Sequence, residues 1–278
     1  MPSQADKGRA FRALHEGPMA FIIPNPWDGG TARLLAQLGF AALATTSAGF
    51  AFSRGVSDNA VGRDAMMEHL SCIASATDLP VSADLENGYG DSPESVQKAI
   101  RLAAESGVVG GSIEDATQRP GQPLYELEHG ADRIRAAAEA ARSLPFTFTL
   151  TARAENYLVG QPNLAETIKR LQAYQSAGAD VLYAPGLTRK EDIAAVVRSV
   201  DRPVNAVMGL SQGAGLSMSV LSGIGVKRVS VGSALARAAL GAFLRAVEEM
   251  RALGTFEFAD EAVSYQTVNA AFAAVRRP

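Results

Sequence analysis

Eight short apolar runs punctuate the chain, at 20–24, 41–46, 80–86, 109–114, 146–153, 181–184, 203–207 and 226–231. Each is followed by a loop, an amphipathic stretch and, commonly, a glycine before the next run. After the third run, Val96, Ala99, Ile100 and Ala103 fall at i, i+3, i+4 and i+7, which is one apolar face of a helix. That helix starts at Ser92-Pro93-Glu94, an N-cap serine with a first-turn proline, and is closed by Gly107. Gly178 closes a later one, and Thr188-Arg189-Lys190-Glu191 reads as a capping box. Eight strand-then-helix units with no Pro- or Ser-rich linker predict an α/β fold, a single (β/α)8 TIM-type barrel over residues 1–278. A doubly wound open sheet shares this periodicity. A ninth helical stretch, 258–275, is an extra C-terminal helix with Ala262, Val263, Val268, Phe272 and Val275 as its apolar positions. It either packs across its own barrel or docks on a neighbouring subunit.

Composition narrows the partners. With 26 basic and 29 acidic residues the formal net charge is −3, and the basic residues are scattered, which argues against nucleic acid. No signal-peptide core and no long uncharged apolar stretch is present, so a soluble, cytoplasmic protein with no membrane partner is expected. The one cysteine, Cys72, excludes an internal disulfide and falls in a helical pattern, where it is expected to pack in the core. His15, His69 and His129 show no metal-ligand spacing.

The ends of the strands carry the chemistry. Asp84 and Glu86 lie two apart at the end of the third run, so both are expected to enter the barrel mouth while Leu85 faces the helices. Two like charges this close need a cation or several donors, and Mg²⁺, with Mn²⁺ as an alternative, is the simplest. Glu86 turning to solvent while Asp84 caps the Gly88-Tyr89-Gly90 turn is the structural alternative. The fourth run, which finishes Ser112-Ile113-Glu114-Asp115, adds a third acid at the same level. In the fifth, Thr147, Thr149, Thr151 and Arg153 share a face, and a polar face ending in arginine suits a carboxylate ligand or, equally, a structural partner for the acids. Thr45-Thr46-Ser47 ends the second run in a turn whose amides can hold an anion.

The stretches NPWDGGTARLLAQLGFAALATTSAGFAFSRGVSD (25–58), LPVSADLENGYGDSPESV (79–96), GGSIEDAT (110–117) and FTLTARAENY (148–157) resemble the isocitrate lyase/phosphoenolpyruvate mutase superfamily, in particular its phosphonomutase or methylisocitrate lyase-like group. The resemblance runs from Arg9 to beyond Asn269. It implies a β/α barrel, Mg²⁺, a small carboxylate substrate passing through a 2-oxo acid enolate, and a homo-oligomer, dimer or tetramer, in which subunits exchange a C-terminal helix. By position it implies Asp84 as the principal metal carboxylate, with Glu86 and Glu114 holding metal-bound waters. It implies Thr46 and Ser47 gripping the substrate carboxylate, Arg153 pairing with it, and Asp58 near the metal. Glu86 stands where Asp is commoner.

Two departures bear on the reaction. The lyase members carry a Lys-Cys-Gly-His type motif after the fourth strand, whereas residues 116–125 here hold neither cysteine nor histidine. A glutamate expected after the sixth strand is replaced by Tyr183-Ala184-Pro185. Ordinary methylisocitrate cleavage is therefore not expected. The expected activity is a Mg²⁺-dependent lyase or decarboxylase breaking a carbon–carbon bond in a 2-oxo acid or 2-hydroxy di- or tricarboxylate. Phosphorus–carbon chemistry on phosphonopyruvate-like substrates and a non-catalytic 2-oxo acid binder are the alternatives. Catalytic candidates are Arg153, Tyr89 and Arg119, with Glu155, Tyr125 and His129 as further proton donors by position. The segment 117–125 is expected to be a lid of little regular structure.

Overall fold

The computed structural model describes residues 2–210 and 215–273. Its strands are β1 (Phe21–Ile23), β2 (Leu43–Ala44), β3 (Val81–Asp84), β4 (Gly110–Glu114), β5 (Ala116–Arg119), β6 (Gln122–Leu124), β7 (Thr149–Arg153), β8 (Val181–Tyr183), β9 (Val204–Val207) and β10 (Arg228–Ser230). Eight of them form one parallel sheet in the order β1-β10-β9-β8-β7-β4-β3-β2, one for each apolar run. The two end strands meet where the Ala44 amide donates to the Pro24 carbonyl at 3.1 Å, so the sheet curls into a nearly closed barrel. Asn25 reinforces that seam. Its Nδ2 donates to the Thr45 carbonyl at 2.9 Å, and its Oδ1 accepts from the amides of Val231 and Gly232 at 3.0 Å.

The helices are α1 (Gln4–Glu16), α2 (Gly29–Gln37), α3 (Ser47–Ser53), α4 (Arg63–Ser75), α5 (Pro93–Glu105), α6 (Leu127–Arg142), α7 (Leu164–Ser176), α8 (Lys190–Arg198), α9 (Met218–Gly223), α10 (Ala234–Leu253) and α11 (Tyr265–Ala273). In α5 the predicted face, Val96, Ala99, Ile100 and Ala103, is fully buried, Ser92 accepts from the Ser95 amide, and Gly107 follows the helix at φ 92°. Burying each larger side chain on such a face stabilises the fold by about 1.5–3 kcal/mol. The helix α1 closes the N-terminal end of the barrel. Its Phe11 presses on Gly110, where an added Cβ would come within 2.8 Å of the ring, and His15 meets Phe21 edge-on at 5.1 Å. The opposite end is left for the site.

Four expectations need revision. The segment 117–125 is not irregular: β5 and β6 pair antiparallel, and Pro120-Gly121, read as breaking structure, form the turn between Arg119 and Gln122. Thr188 does not make a capping box, because Arg189 takes the N-cap of α8 with no side-chain cap. Cys72 is exposed on α4 rather than packed in the core. The stretch 258–275 folds in two pieces, a 3-10 turn at Glu257–Glu261 and then α11, and its expected end at Val275 lies outside the described residues. Glu249 accepts from the amides of Glu257 and Phe258, and Ser264 accepts from Thr267, so separate caps set the two pieces. On its own barrel α11 lies against α2, with Gln37 donating to the Ala271 carbonyl at 2.6 Å. Among the described residues no helix is long and apolar enough to cross a membrane.

Candidate active site

The C-terminal ends of the strands surround a cleft of about 570 Å³, lined by Thr46, Ser47, Asp58, Asp84, Glu114, Arg119, Arg153 and Glu155 among others. Arg153, at the end of β7, is its centre. One guanidinium reaches Asp84 through Nη1 at 3.0 Å, Glu114 through Nη2 at 3.4 Å and Glu155 through Nε at 2.8 Å. It also lies 5.1 Å from the centroid of the Tyr183 ring. These acids hold Arg153 protonated, well above the usual arginine range despite its burial.

Asp84 has two different neighbours. Its Oδ1 faces Arg153, while its Oδ2 accepts from the Ser47 amide at 3.1 Å and the Ser47 hydroxyl at 3.0 Å. Ser47 is placed by Thr46, whose hydroxyl caps α3 by accepting from the Gly49 amide. Thr46 is thus occupied by the backbone and sets the turn, whereas Ser47 points its donors into the cleft. Ser47 Oγ also lies 3.3 Å from Asp58 Oδ1. Burial and then the Asp84 charge raise the Asp58 carboxyl above its ordinary value.

Glu86 behaves differently from the simple alternation. The strand ends at Asp84, and Glu86 takes a left-handed φ of 49° in a turn where Gly88 and Tyr89 are also left-handed, at 80° and 60°. It is buried beside the cleft rather than on its lining, and its Oε1 has no hydrogen-bond partner. Burial, followed by the charges of Asp84 and Asp58, pushes its carboxyl up to about 8. Glu114 is likewise raised well above its ordinary value, by burial above all, and Glu155 is raised for the same reason.

Whether these residues suit a divalent cation can be judged from the donor set. Among the described residues no three Asp, Glu, His or Cys side chains form a ready-made cage. The cleft nevertheless sets one guanidinium against Asp84, Glu114, Glu155 and Asp58, all hard oxygen ligands, with an orphaned Glu86 oxygen behind them. Mg²⁺ commonly takes one or two carboxylates and keeps its waters, so this donor set fits it. Asp84 would be the direct ligand, with Glu86 and Glu114 beyond.

Among the catalytic candidates, Tyr89 has a buried hydroxyl with no partner, raised well above the ordinary tyrosine range by burial and by Glu86, but it does not line the cleft. Arg119 is on the rim, 3.4 Å from Asp91, and Tyr125 donates to the same aspartate at 2.6 Å. His129 contacts the Asp91 carbonyl at 2.9 Å, which makes it part of this support rather than of the cleft. Glu155 does line the cleft.

Several residues that build the site are not candidates on sequence grounds. Arg133, buried under the Tyr125 ring at 4.1 Å, donates to the carbonyls of Asn87, Gly90 and Asp91 and holds the turn that carries Glu86 and Tyr89. Asp115 faces away from the cleft, accepting from Arg170 at 3.0 Å, Tyr174 at 2.6 Å and the Glu155 amide at 2.8 Å. The available signal was an arginine on an otherwise buried helical face: Thr167, Arg170, Leu171 and Tyr174 follow the i, i+3, i+4, i+7 rule. Gln118, on the hairpin, donates to Asn59 Oδ1 at 2.9 Å across the mouth.

A barrel of this connectivity, with acids and an arginine gathered at the strand ends, defines an enzyme of the isocitrate lyase/phosphoenolpyruvate mutase superfamily. The chain belongs to the phosphoenolpyruvate phosphomutase family, whose model matches residues 11–251. A Burkholderia cenocepacia protein described as a lyase/mutase is 63% identical, with a TM-score of 0.95 over 98% of this chain and 97% of its own. The 2-methylisocitrate lyase of Bacillus subtilis is 30% identical over 214 residues, 74% of this chain and 68% of its own. A phosphonopyruvate hydrolase solved with oxalate and Mg²⁺ superposes with a TM-score of 0.84 at 25% identity, covering 96% of this chain and 95% of that one.

Proposed function

We propose that the protein is a Mg²⁺-dependent lyase or decarboxylase that breaks a carbon–carbon bond in a 2-oxo acid or 2-hydroxy di- or tricarboxylate. The observation that carries this reading is the double engagement of Asp84 by Arg153 on one oxygen and by the Ser47 amide and hydroxyl on the other. These donors converge on one point, beside an excess of acids, as recognition of a chelating 2-oxo carboxylate requires. A bound Mg²⁺ would supply Lewis-acid stabilisation of the negative charge that develops on the oxo oxygen. Arg153 and Ser47 orient the substrate carboxylate, and the β5–β6 hairpin, joined to Asn59 through Gln118, excludes water. Glu155, which lines the cleft and whose burial favours its protonated form, is positioned to hold the proton that the enolate must receive.

The relatives support both carbon–carbon and phosphorus–carbon chemistry. Arg119 at the rim favours a second reading, turnover of a phosphonopyruvate-like substrate, because a phosphonate needs an additional cation. A product screen with Mg²⁺ against oxaloacetate, dimethylmalate-like acids, methylisocitrate and phosphonopyruvate tests the proposal. Pyruvate or another carbon–carbon cleavage product supports it, phosphate release from phosphonopyruvate favours the second reading, and binding of all four without turnover overturns both.

A further inference from the structure

The cleft extends below the level of Arg153, and its floor carries a second guanidinium. Arg228, on the inward face of β10, is buried and lines the cleft together with Asn205 and Ser230. Its Nε donates to Asn205 Oδ1 at 2.8 Å and its Nη2 to Thr151 Oγ1 at 3.0 Å, while its Nη1 lies 3.4 Å from His15 Nε2. None of these partners is negatively charged: His15 is kept neutral by burial and by Arg228 itself. Arginine offers five N–H donors, so part of this fork remains uncommitted. Of the other arginines lining the cleft, Arg153 is surrounded by carboxylates and Arg119 lies 3.4 Å from Asp91, while buried Arg170 is paired with Asp115 and Glu166.

A buried cation with only neutral neighbours is costly, and an anion entering the cleft would relieve that cost. Thr151 precedes Arg153 by two residues on β7, so the floor arginine is engaged about 7 Å further down the barrel. A ligand held at the mouth by one carboxylate can therefore direct a second one downwards. We infer that Arg228 is the recognition point for the second carboxylate of a dicarboxylate substrate. This rests on the reading above, in which Arg153 and Ser47 hold the first.

The test compares diacids with the monoacids of equal chain length, oxaloacetate against 2-oxobutyrate and 2-oxoglutarate against 2-oxovalerate, as competitors of oxalate in the presence of Mg²⁺. Oxalate is short enough to occupy the mouth alone. In the unaltered protein one of the diacids should bind roughly ten- to a hundredfold more tightly than its monoacid, the range for a charge-assisted hydrogen bond. In Arg228→Gln that preference should collapse to parity while oxalate affinity is kept. In Arg228→Lys, which keeps the charge without the fork, it should shrink but persist, and this variant decides the matter should Arg228→Gln fail to fold. A preference that survives both substitutions overturns the inference, as does a parallel loss of oxalate, monoacid and diacid, which would make Arg228 a barrel support. Failure of the unaltered protein to bind oxalate is a different result: it removes the mouth reading, and the floor site with it.

Discussion

Gln118 and Asn59 hydrogen-bond at 2.9 Å across the mouth of the barrel, and both hold left-handed backbone, with φ of 61° and 63°. One belongs to the β5–β6 hairpin, the other follows Asp58 on the facing loop. Non-glycine residues adopt this conformation at a cost, so the pair joins two strained turns over the cleft. Replacing Gln118 with alanine should remove the latch while costing the exposed fold no more than about 1 kcal/mol. Turnover should fall and KM rise together, and limited proteolysis should cut the hairpin faster in the presence of oxalate and Mg²⁺. Equal protection in the two proteins would mean that the hairpin is held elsewhere.

The Arg153–Asp84 pair separates metal binding from substrate binding. Asp84→Ala should abolish Mg²⁺-dependent oxalate binding with the fold intact, since it removes repulsion with Glu86 and Asp58 as well as a contact to Arg153. Arg153→Lys replaces a planar fork by a point charge and should weaken oxalate by about 1–3 kcal/mol. Calorimetry with and without Mg²⁺ reads both. Unchanged oxalate affinity in Arg153→Lys, with lowered stability, would make Arg153 solely a partner of the inward acids.

Buried groups should make stability depend on pH in two opposite directions. Burial holds His15 neutral to about 3 and His69 to about 4, against 6.5 in an unfolded chain. Below pH 6.5 the unfolded chain takes up protons that the native protein refuses, so stability falls with pH by about 1.4 kcal/mol per unit per histidine. Glu86 works the other way. Raised from 4.5 to about 8, it keeps its proton in the native state after the unfolded chain has lost it, so stability falls as pH rises through that window. Urea midpoints should show a flatter acid limb in His15→Leu and, in Glu86→Gln, a flatter limb between about pH 6.5 and 8, on the order of one proton each. Identical pH profiles would show that these groups are not held as described.

Asp115 is a support rather than a ligand. Asp115→Asn leaves Arg170 with only the partly exposed Glu166, 3.0 Å from its Nε, as counter-charge and should destabilise the fold by about 1.5–3 kcal/mol, read as a lowered urea midpoint. A loss below about 1 kcal/mol would mean that Glu166 alone balances the Arg170 charge and that Asp115 is no support.

How far these roles were legible in the chain depends on the range of the interaction. Asp84, Glu114 and Arg153 follow from the two-residue period of a strand, which is local and survives folding unchanged. Glu86 does not, because the left-handed turn after Asp84 cancels the alternation, and nothing in Leu85-Glu86-Asn87 announces it. Glu114 and Asp115 are adjacent acids with opposite fates. Alternation separates their faces, but only the fold brings Arg170 to Asp115, 55 positions away. The same holds for Arg133 under Tyr125 and for Gln118 on Asn59. Pro120-Gly121 misled for another reason, since the residues that exclude regular structure within an element also make the turn of a hairpin.

The C-terminal helices supply the last prediction. Along α10 Leu240, Phe243, Leu244 and Val247 form one stripe at helical spacing, and within this chain Phe243 is 61% and Leu244 64% exposed. Phe256, Val263 and Tyr265 continue the uncovered apolar surface towards α11. Scattered apolar residues are ordinary on a surface, but a continuous stripe on a twenty-residue helix with one buried position, Ala236, calls for a partner. A second copy of the chain is the occupant we propose, since closed symmetric association buries the same stripe on both protomers. Phe243→Glu with Leu244→Glu should then shift sedimentation from an oligomer to a monomer that keeps its helical circular dichroism. A wild-type chain that sediments as a monomer at micromolar concentration would rule the proposal out.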